Sequence, residues 1–304
     1  MPASSKDFLH LHFLVLIWGF TAILGVLITI PAVEIVLFRT LMASAALGLL
    51  LYVRKMSFRL GSKEILKMLS TGLLMSAHWI LFFAAARIST VSVTLAGLAT
   101  CSLWTSFIEP MLTHRKIKWF EVALGSMGMI GLYVIFQFEF NHALGLTMSV
   151  VAAFLSALFT VINGKFAVRH NHYMITFYEM IGAFLGTVLF LPLYVRYLAP
   201  EGVLQLSPTA LDWLYLSLLA LVCTVYAYSI AVQLMQKISA FVINLTVNLE
   251  PVYGIILAVL IFGDDEKMTD GFYIGTLIIL ASVLIYPILN RLHRRKALET
   301  DIWR

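Results

Sequence analysis

A glutamate stands in the middle of a long apolar segment near the C-terminal end of the chain. Glu250 is followed by Pro251 inside the segment 240–262. A charged side chain at the centre of a bilayer costs about 2.5–3.5 kcal/mol on insertion scales, so it should face a cavity or a partner. Proline removes one backbone hydrogen bond and favours a kink. Glu250 is therefore a candidate for binding a substrate or a proton, and the alternative is a buried carboxyl group that only shapes the kink.

Two amides precede Glu250 in the same segment. Asn244 and Asn248 are one helical turn apart, so a helix would place them on one face. Amides inside a membrane helix either line a polar pathway or hydrogen-bond to a neighbouring helix, and both interpretations stay open. Thr94 and Thr100 occupy the matched positions of an earlier apolar segment. This match favours a pathway, and Asn244, Asn248 and Thr100 are therefore candidate substrate contacts.

Aromatic residues that carry polar atoms lie in several apolar segments. Aromatic walls with a few polar groups are typical of sites for small organic molecules, although the same residues could be packed or lipid-facing bulk. The candidates for such a wall are His78, Trp79, Trp104, Tyr226 and Tyr253. His78 has no metal-ligand spacing around it, so neither a metal nor another cofactor is expected.

Two further charged residues lie inside apolar segments. Arg39 needs a carboxylate, backbone carbonyls or an anionic substrate, and a structural pairing is the favoured interpretation. Glu179 lies close to the start of its segment, so its carboxylate is expected to reach the cytoplasmic interface and to be structural. The Gly-x-x-x-Gly motifs at 182–186 and 271–275 predict close contact between helices.

The composition indicates which elements position these residues. Of the 304 residues, 61% are hydrophobic and only 12% are charged, whereas a soluble domain averages about 25% charged residues. This balance excludes a soluble protein and predicts an all-α integral membrane protein. Runs of about 20 apolar residues can cross the hydrocarbon core. Ten such spans, numbered in chain order, are predicted: 8–30, 32–53, 65–86, 91–112, 119–138, 144–166, 174–195, 211–236, 240–262 and 271–290.

The distribution of basic residues predicts the orientation of these spans. Cytoplasmic loops carry an excess of Lys and Arg. With the N-terminus inside, all of the 21 Lys and Arg residues lie in cytoplasmic regions except Arg39, Arg87, Arg196 and Lys267. Both termini are therefore expected in the cytoplasm.

A repeat in the sequence predicts two inverted halves. A shift of about 150 residues aligns Ile88-Ser89 with Ile238-Ser239 and Arg87 with Lys237. It also aligns HRKIK at 114–118 with DDEKM at 264–268, which has the opposite charge. Because each half has an odd number of spans, the second half is upside down. Residues 1–140 should form one five-helix repeat, and 141–304 the inverted repeat with a short basic C-terminal tail.

Inverted repeats also predict where a binding site lies. In secondary transporters with such repeats, the substrate binds near the bilayer midplane between the halves. Spans three, four, eight and nine carry the symmetric polar positions, so they are expected to surround a central cavity. Spans five and ten have almost no polar residues and should lie at the periphery. Cys101 and Cys223 fall inside apolar spans and are expected to be buried free thiols.

Short motifs spread over the chain resemble one known family. They are Trp18-Gly19 in span one, Phe38-Arg39 in span two, Glu250-Pro251 in span nine, and Glu266-Lys267-Met268-Thr269 followed by Gly275 in span ten. With ten spans in two halves, they resemble the EamA family of the drug/metabolite transporter superfamily. The resemblance implies a bacterial inner-membrane carrier that moves small metabolites, often amino acids or related compounds and often outward.

One position departs from the family pattern. The proline that is usual in span four is absent: Thr100-Cys101 stands opposite Glu250-Pro251, and Glu109-Pro110 comes later. The resemblance therefore does not extend to a hinge shared by both halves.

Other classes of function find no support in the sequence. A membrane enzyme would need a constellation such as HExxH or clustered carboxylates at one depth, and none is found. We expect a secondary active transporter that works by alternating access, with a passive facilitator or channel of the same architecture as the alternative. The expected partners are the lipid bilayer, a small-molecule substrate and, as a candidate coupling ion at Glu250, a proton. No nucleic acid is expected, because the net charge of +5 belongs to the loops.

Overall fold

The computed structural model describes residues 3–138, 140–263 and 269–302, and within these ranges the regular elements are helical. The predicted loop DDEKM at 264–268 lies outside the described residues. The helices are α1 (Ser5–Gly19), α2 (Thr21–Leu27), α3 (Ala32–Val53), α4 (Ser62–Ile88), α5 (Val91–Leu98), α6 (Cys101–Thr113), α7 (Trp119–Phe138), α8 (Ala143–Ala167), α9 (His172–Tyr197), α10 (Ala210–Ser217), α11 (Ala227–Leu234), α12 (Ala240–Val247), α13 (Glu250–Phe262) and α14 (Asp270–Ile302). A π-helical stretch, Leu218–Tyr226, joins α10 to α11.

Most of the predicted spans are long and apolar enough to cross a membrane. Among the described residues there are eight candidate spans: Ser5–Leu27, Ala32–Val53, Ser62–Ile88, Val91–Thr113, Ala143–Ala167, His172–Tyr197, Ala210–Leu234 and Asp270–His293. The other two predicted spans correspond to α7 and to α12 with α13. The chain is thus an all-helical, multi-pass membrane protein, while ten crossings and the orientation of the termini stay predictions.

Helix starts coincide with side chains that can cap them. Ser4 and Asp7 form a capping box at α1, and Thr209 and Asp212 form another at α10. These side chains satisfy backbone N–H groups that have no partner within the helix. Ser239 caps α12 in the same way by accepting a hydrogen bond from the Val242 N–H.

Spans four and nine are both interrupted near their middle. The helix stops between α5 and α6 at 99–100, and between α12 and α13 at 248–249. Span four breaks although it has no proline there. The Thr100 hydroxyl donates to the Gly97 carbonyl at 2.9 Å, so a side chain satisfies a backbone group in the last turn of α5. Span four is therefore interrupted even though it lacks the proline that is usual in the family.

Glycines allow three pairs of helices to approach closely. A Cβ added at Gly182 on α9 would lie 2.2 Å from the Leu69 carbonyl oxygen on α4, which confirms the predicted contact at the first Gly-x-x-x-Gly motif. A Cβ at Gly131 on α7 would lie 2.5 Å from the Gly275 carbonyl oxygen on α14. A Cβ at Gly19 would lie 3.4 Å from the Gly254 nitrogen. These contacts set how α4 and α9, α7 and α14, and α1 and α13 pack.

The short basic tail predicted after residue 290 is helical. It continues α14, which runs to Ile302. Hydropathy marks where an apolar run stops, and a helix can extend beyond it into water when its backbone hydrogen bonds continue. Cys101 and Cys223 are both buried free thiols, as predicted.

Candidate functional site

A cavity lies between the broken spans and the helices that pack against them. Its walls are formed by α1 to α5, α8, the π-helical stretch, and α11 to α13. The lining residues are Trp18, Thr21, Arg39, His78, Trp79, Phe82, Leu98, Ser156, Phe159, Thr160, Cys223, Tyr228, Ala231, Met235, Ile243, Asn244, Val247 and Glu250. We call this space the central cavity. It combines aromatic walls with a few polar groups, as sites for small organic molecules do.

Arg39 contacts one hydroxyl group and two aromatic rings, those of Trp79 and Phe83. Its Nε donates to Thr224 Oγ1 at 2.8 Å, and its Cζ lies 4.0 Å from the centre of the Trp79 ring. The Thr224 hydroxyl donates in turn to the Leu219 carbonyl at 2.8 Å. That bond spans five residues, which fits the π-helical stretch, and such stretches often occur at functional sites.

No ion pair in the described part of the chain includes Arg39, so its structural partners there are the Thr224 hydroxyl and aromatic rings rather than a carboxylate. The terminal NH2 groups of the guanidinium have no hydrogen-bond partner among the described residues. They remain free to bind an anionic group in the cavity, for which the guanidinium has a two-pronged geometry.

Glu250 brings the opposite charge to the same cavity. It is the first residue of α13, directly after the break in span nine, and is 4% exposed. In the part of the chain that the structure describes, its carboxylate forms no hydrogen bond or ion pair. A cation and an anion therefore share one cavity without pairing directly with each other.

His78 and Asn244 add neutral polar groups. His78 Nδ1 lies 2.8 Å from the Ala152 carbonyl oxygen. Because a carbonyl oxygen only accepts, Nδ1 carries the hydrogen, and Nε2 of the neutral ring is left as an acceptor. Asn244 Nδ2 donates to Thr105 Oγ1 at 2.8 Å. Asn244 thus lines the central cavity and also links α12 to α6.

The remaining predicted site residues are not among those that line the central cavity. Asn248 Nδ2 donates to Ser102 Oγ at 2.7 Å, so it connects the break in span nine to α6. Thr100 binds the Gly97 carbonyl, and Trp104 packs edge-on against Phe154. Tyr226 is 40% exposed, and its hydroxyl lies 3.0 Å from His10 Nε2. Tyr253 lines a separate groove beside α1. Glu250, Asn244, His78 and Trp79 are the predicted residues that the fold brings together.

The cavity has more walls than predicted. Spans three, four, eight and nine line it as expected, and among the described residues α7 and α14 contribute nothing to it. Spans one, two and six also contribute, through Trp18, Thr21, Arg39 and Phe159. For span one, the motif Trp18-Gly19 could have indicated this contribution. Trp18 lines the cavity, and its Nε1 donates to the Cys223 carbonyl at 3.1 Å. The only charged residue of span six is Lys165, close to its C-terminal end, so no comparable signal marked Phe159.

The expectation that Glu179 reaches the cytoplasmic interface is wrong. Its side chain is completely buried and accepts hydrogen bonds from Tyr228 and Asn163. A position near the end of a span does not ensure that a side chain reaches water, because neighbouring helices can enclose it, as α4, α8 and α11 do here. Glu179 therefore lies in the protein interior, behind the wall of the central cavity.

The comparisons with known proteins agree with this architecture. The family model described as the EamA-like transporter family matches twice, over residues 9–137 and 143–286. The chain therefore belongs to the EamA-like transporter family and is a membrane transporter of the drug/metabolite transporter superfamily. A solved structure named only as "Crystal structure of protein" superposes with a TM-score of 0.70 and 15% identity, covering 95% of this chain and 100% of the other. That likeness supports the fold alone. A comparison with curated proteins finds no match.

Proposed function

We propose that this protein is a secondary active transporter of the bacterial inner membrane that moves a small organic solute, outward by the family resemblance, through alternating access of the central cavity. The observation that carries the proposal is the presence of both Arg39 and Glu250 in one cavity, where each can still form hydrogen bonds or ion pairs. Ionisable residues inside a membrane are costly and mark substrate or ion pathways.

The two charges favour a zwitterionic solute. A carboxylate on the solute would bind the terminal NH2 groups of Arg39, and an ammonium group would bind Glu250. The rings of Trp18, Phe82 and Phe159 would cover an apolar side chain. An amino acid or a related compound has this combination of groups. Asn244 and the acceptor Nε2 of His78 offer further hydrogen bonds.

Contacts at the two ends of span one support alternating access. Arg87, at the end of α4, donates from Nη2 to the Ile28 carbonyl at 2.6 Å and to the Gly25 carbonyl at 3.1 Å. Lys237, just after α11, pairs with Asp7 at the start of α1, at 2.9 Å. Arg87 and Lys237 are the residues that the sequence repeat aligns. We propose that the halves are inverted, that both termini are cytoplasmic, and that each contact breaks when the cavity opens on its side.

Transport by purified protein in liposomes tests this function. We expect movement of zwitterionic amino acids with apolar side chains. Analogues that lack the carboxylate or the amino group should move at least tenfold more slowly at low concentration, because a hydrogen bond to a charged group contributes about 1.5–3 kcal/mol. Equal rates for all three kinds of solute would contradict the assignment of Arg39 and Glu250.

The same assay separates active transport from a passive facilitator or channel. Solute flux is measured with and without a proton gradient, at equal solute concentrations on both sides of the membrane. A coupled transporter accumulates solute only when the gradient is present. Flux that never exceeds equilibration would exclude the secondary active mechanism and leave the passive one.

A further inference from the structure

A fully buried carboxylate lies directly behind the wall of the central cavity. Glu179 on α9 is 0% exposed. Its Oε2 accepts a hydrogen bond from the Tyr228 hydroxyl at 3.1 Å and a longer one from Asn163 Nδ2 at 3.4 Å. Tyr228 also lines the cavity. One side chain therefore connects the buried carboxylate to the space in which a solute would bind.

Hydrogen bonding around Glu179 is incomplete. In the part of the chain that the structure describes, Glu179 Oε1 and Asn163 Oδ1 are buried and have no hydrogen-bond partner. An ionised carboxylate and an amide oxygen both only accept hydrogen bonds. The two atoms therefore need a donor that the surrounding residues do not supply. A proton bound at Oε1 would give that oxygen a hydrogen of its own and would also remove a buried charge.

Two other buried carboxylates have donors for both oxygens. Asp212 Oδ1 accepts from the Thr29 N–H, and its Oδ2 accepts from the hydroxyls of Thr29 and Thr209. Glu34 accepts from the Gln205 N–H on Oε1 and from the Tyr194 hydroxyl on Oε2. Both oxygens of Asp212 and of Glu34 thus have donors, and Glu179 differs from these two residues.

The groups around Glu179 are almost all neutral. Tyr228 is the titratable residue that faces it from α11, while Asn163 faces it from α8. The helix α4 approaches through Gly72, next to the Glu179 backbone carbonyl, and through Met75, whose Sδ lies 3.3 Å from the Tyr228 hydroxyl. Among the described residues, no ion pair joins Glu179 to a charged side chain of α3, α4, α8 or α11.

We propose that Glu179 is a proton-binding site, separate from Glu250, and that Tyr228 couples its protonation to the central cavity. The carboxylate takes up one proton from water to become a carboxylic acid, and it returns that proton to water later in the cycle. In the ionised form the Tyr228 hydrogen is held by Oε2. In the protonated form the new hydrogen lies on Oε1, and Oε2 becomes a neutral carbonyl oxygen, which is a weaker acceptor and holds the Tyr228 hydrogen less strongly.

The role of this proton in a transport cycle rests on the proposed function, but proton binding itself does not. It can be measured on purified protein without any solute, by infrared spectroscopy of the carboxylic acid C=O stretch during a pH titration. The chain has 16 Asp and Glu residues, so the band of Glu179 is taken from the difference between the wild-type and Glu179→Gln titrations. We expect a titrating C=O band in this difference, which is shifted when both proteins also carry Tyr228→Phe and unchanged when both carry Glu250→Gln. The absence of a titrating band from the difference would overturn the assignment.

Thermal unfolding gives a second readout on the same samples. A neutral amide resembles a protonated carboxyl in shape, so Glu179→Gln should fold, and its melting temperature should lose the pH dependence that Glu179 confers on the wild type. A Glu179→Gln protein that does not fold would mean that the ionised carboxylate is required, which contradicts the proposal.

Transport then tests the coupling. The wild-type rate should depend on pH, and its change between about pH 5 and about pH 8 should be at least about twofold smaller in Glu179→Gln and in Tyr228→Phe, where Glu250 is still present. An unchanged pH profile in Glu179→Gln would refute the coupling role. If no solute is moved by the wild type while the infrared band titrates as expected, the proposed transport function fails and the proton site stands.

Discussion

Replacing Glu250 by glutamine should impair transport without impairing folding. Glu250 forms no hydrogen bond or ion pair in the described part of the chain, so the substitution removes no contact that holds helices together. Glutamine has nearly the same shape and carries no charge. Because a buried carboxylate without a partner destabilises the fold, the thermal stability of Glu250→Gln should equal or exceed that of the wild type.

The size of the transport defect follows from the contact that is lost. A hydrogen bond to a charged group contributes about 1.5–3 kcal/mol. Since about 1.4 kcal/mol corresponds to a factor of ten in affinity, the apparent affinity for a zwitterionic solute should fall roughly 10- to 150-fold. A solute that lacks the amino group should lose much less, because it has no ammonium to place at Glu250.

The measurement is uptake into liposomes as a function of solute concentration, at several pH values. Glu201→Gln is the matched control, because Glu201 is an exposed carboxylate in the connection between α9 and α10. The control should transport like the wild type. If Glu250→Gln also does so, with unchanged affinity and pH dependence, then Glu250 only shapes the break in span nine. A collapse in the amount of folded protein would equally refute the reasoning, since it would reveal a structural partner.

Three further predictions test the packing, the proposed gates and the topology. Gly182→Leu should abolish folded protein, because the new side chain would collide with the α4 backbone at Leu69. The control is Gly164→Ala, whose added Cβ has no neighbour within 4 Å, and its melting temperature should match that of the wild type. The gates can be tested with Asn244→Cys in a background without other cysteines. Replacing Lys237 by methionine should speed the reaction of this cysteine with a thiol reagent added on the cytoplasmic side, and replacing Arg87 by methionine should speed its reaction with reagent added on the opposite side. Acceleration from the same side in both variants would contradict alternating gates. In intact cells, an impermeant thiol reagent should label a cysteine at Glu201 and not one at Lys116, and equal labelling of both would contradict the predicted orientation.

The helical architecture could be predicted from the sequence because it is a local property in a membrane. A segment in lipid must satisfy its own backbone hydrogen bonds, so an apolar run of sufficient length becomes a helix whatever surrounds it. Spans two and six, for example, were expected at 32–53 and 144–166, and they are found as Ala32–Val53 and Ala143–Ala167. The breaks inside the spans were harder to predict from the sequence. A proline marks the break in span nine, but the break in span four has only a threonine hydroxyl bonded to the backbone.

The costly polar residues could also be recognised from the sequence alone. Glu250, His78 and Asn244 stand out because polar groups are rare in apolar spans, and all three line the central cavity. The same shift of 150 residues places Tyr228 opposite His78, and Tyr228 likewise lines the cavity. Which polar residues stay outside could not be predicted, as Asn248 and Thr100 show. Both lie on the expected spans, but each is turned towards a partner of its own.

Only the tertiary structure decided which side chains share one space. That outcome depends on the rotation of each helix and on how closely its neighbours approach, and these are set by contacts between residues far apart in the chain. Glu179 illustrates the reason. Its burial depends on Gly72 and Gly182, which let α4 and α9 nearly touch, and on Tyr228, which closes the other side. Hydropathy records the preference of each residue for lipid or water, whereas the partners of a buried group are fixed by packing between helices.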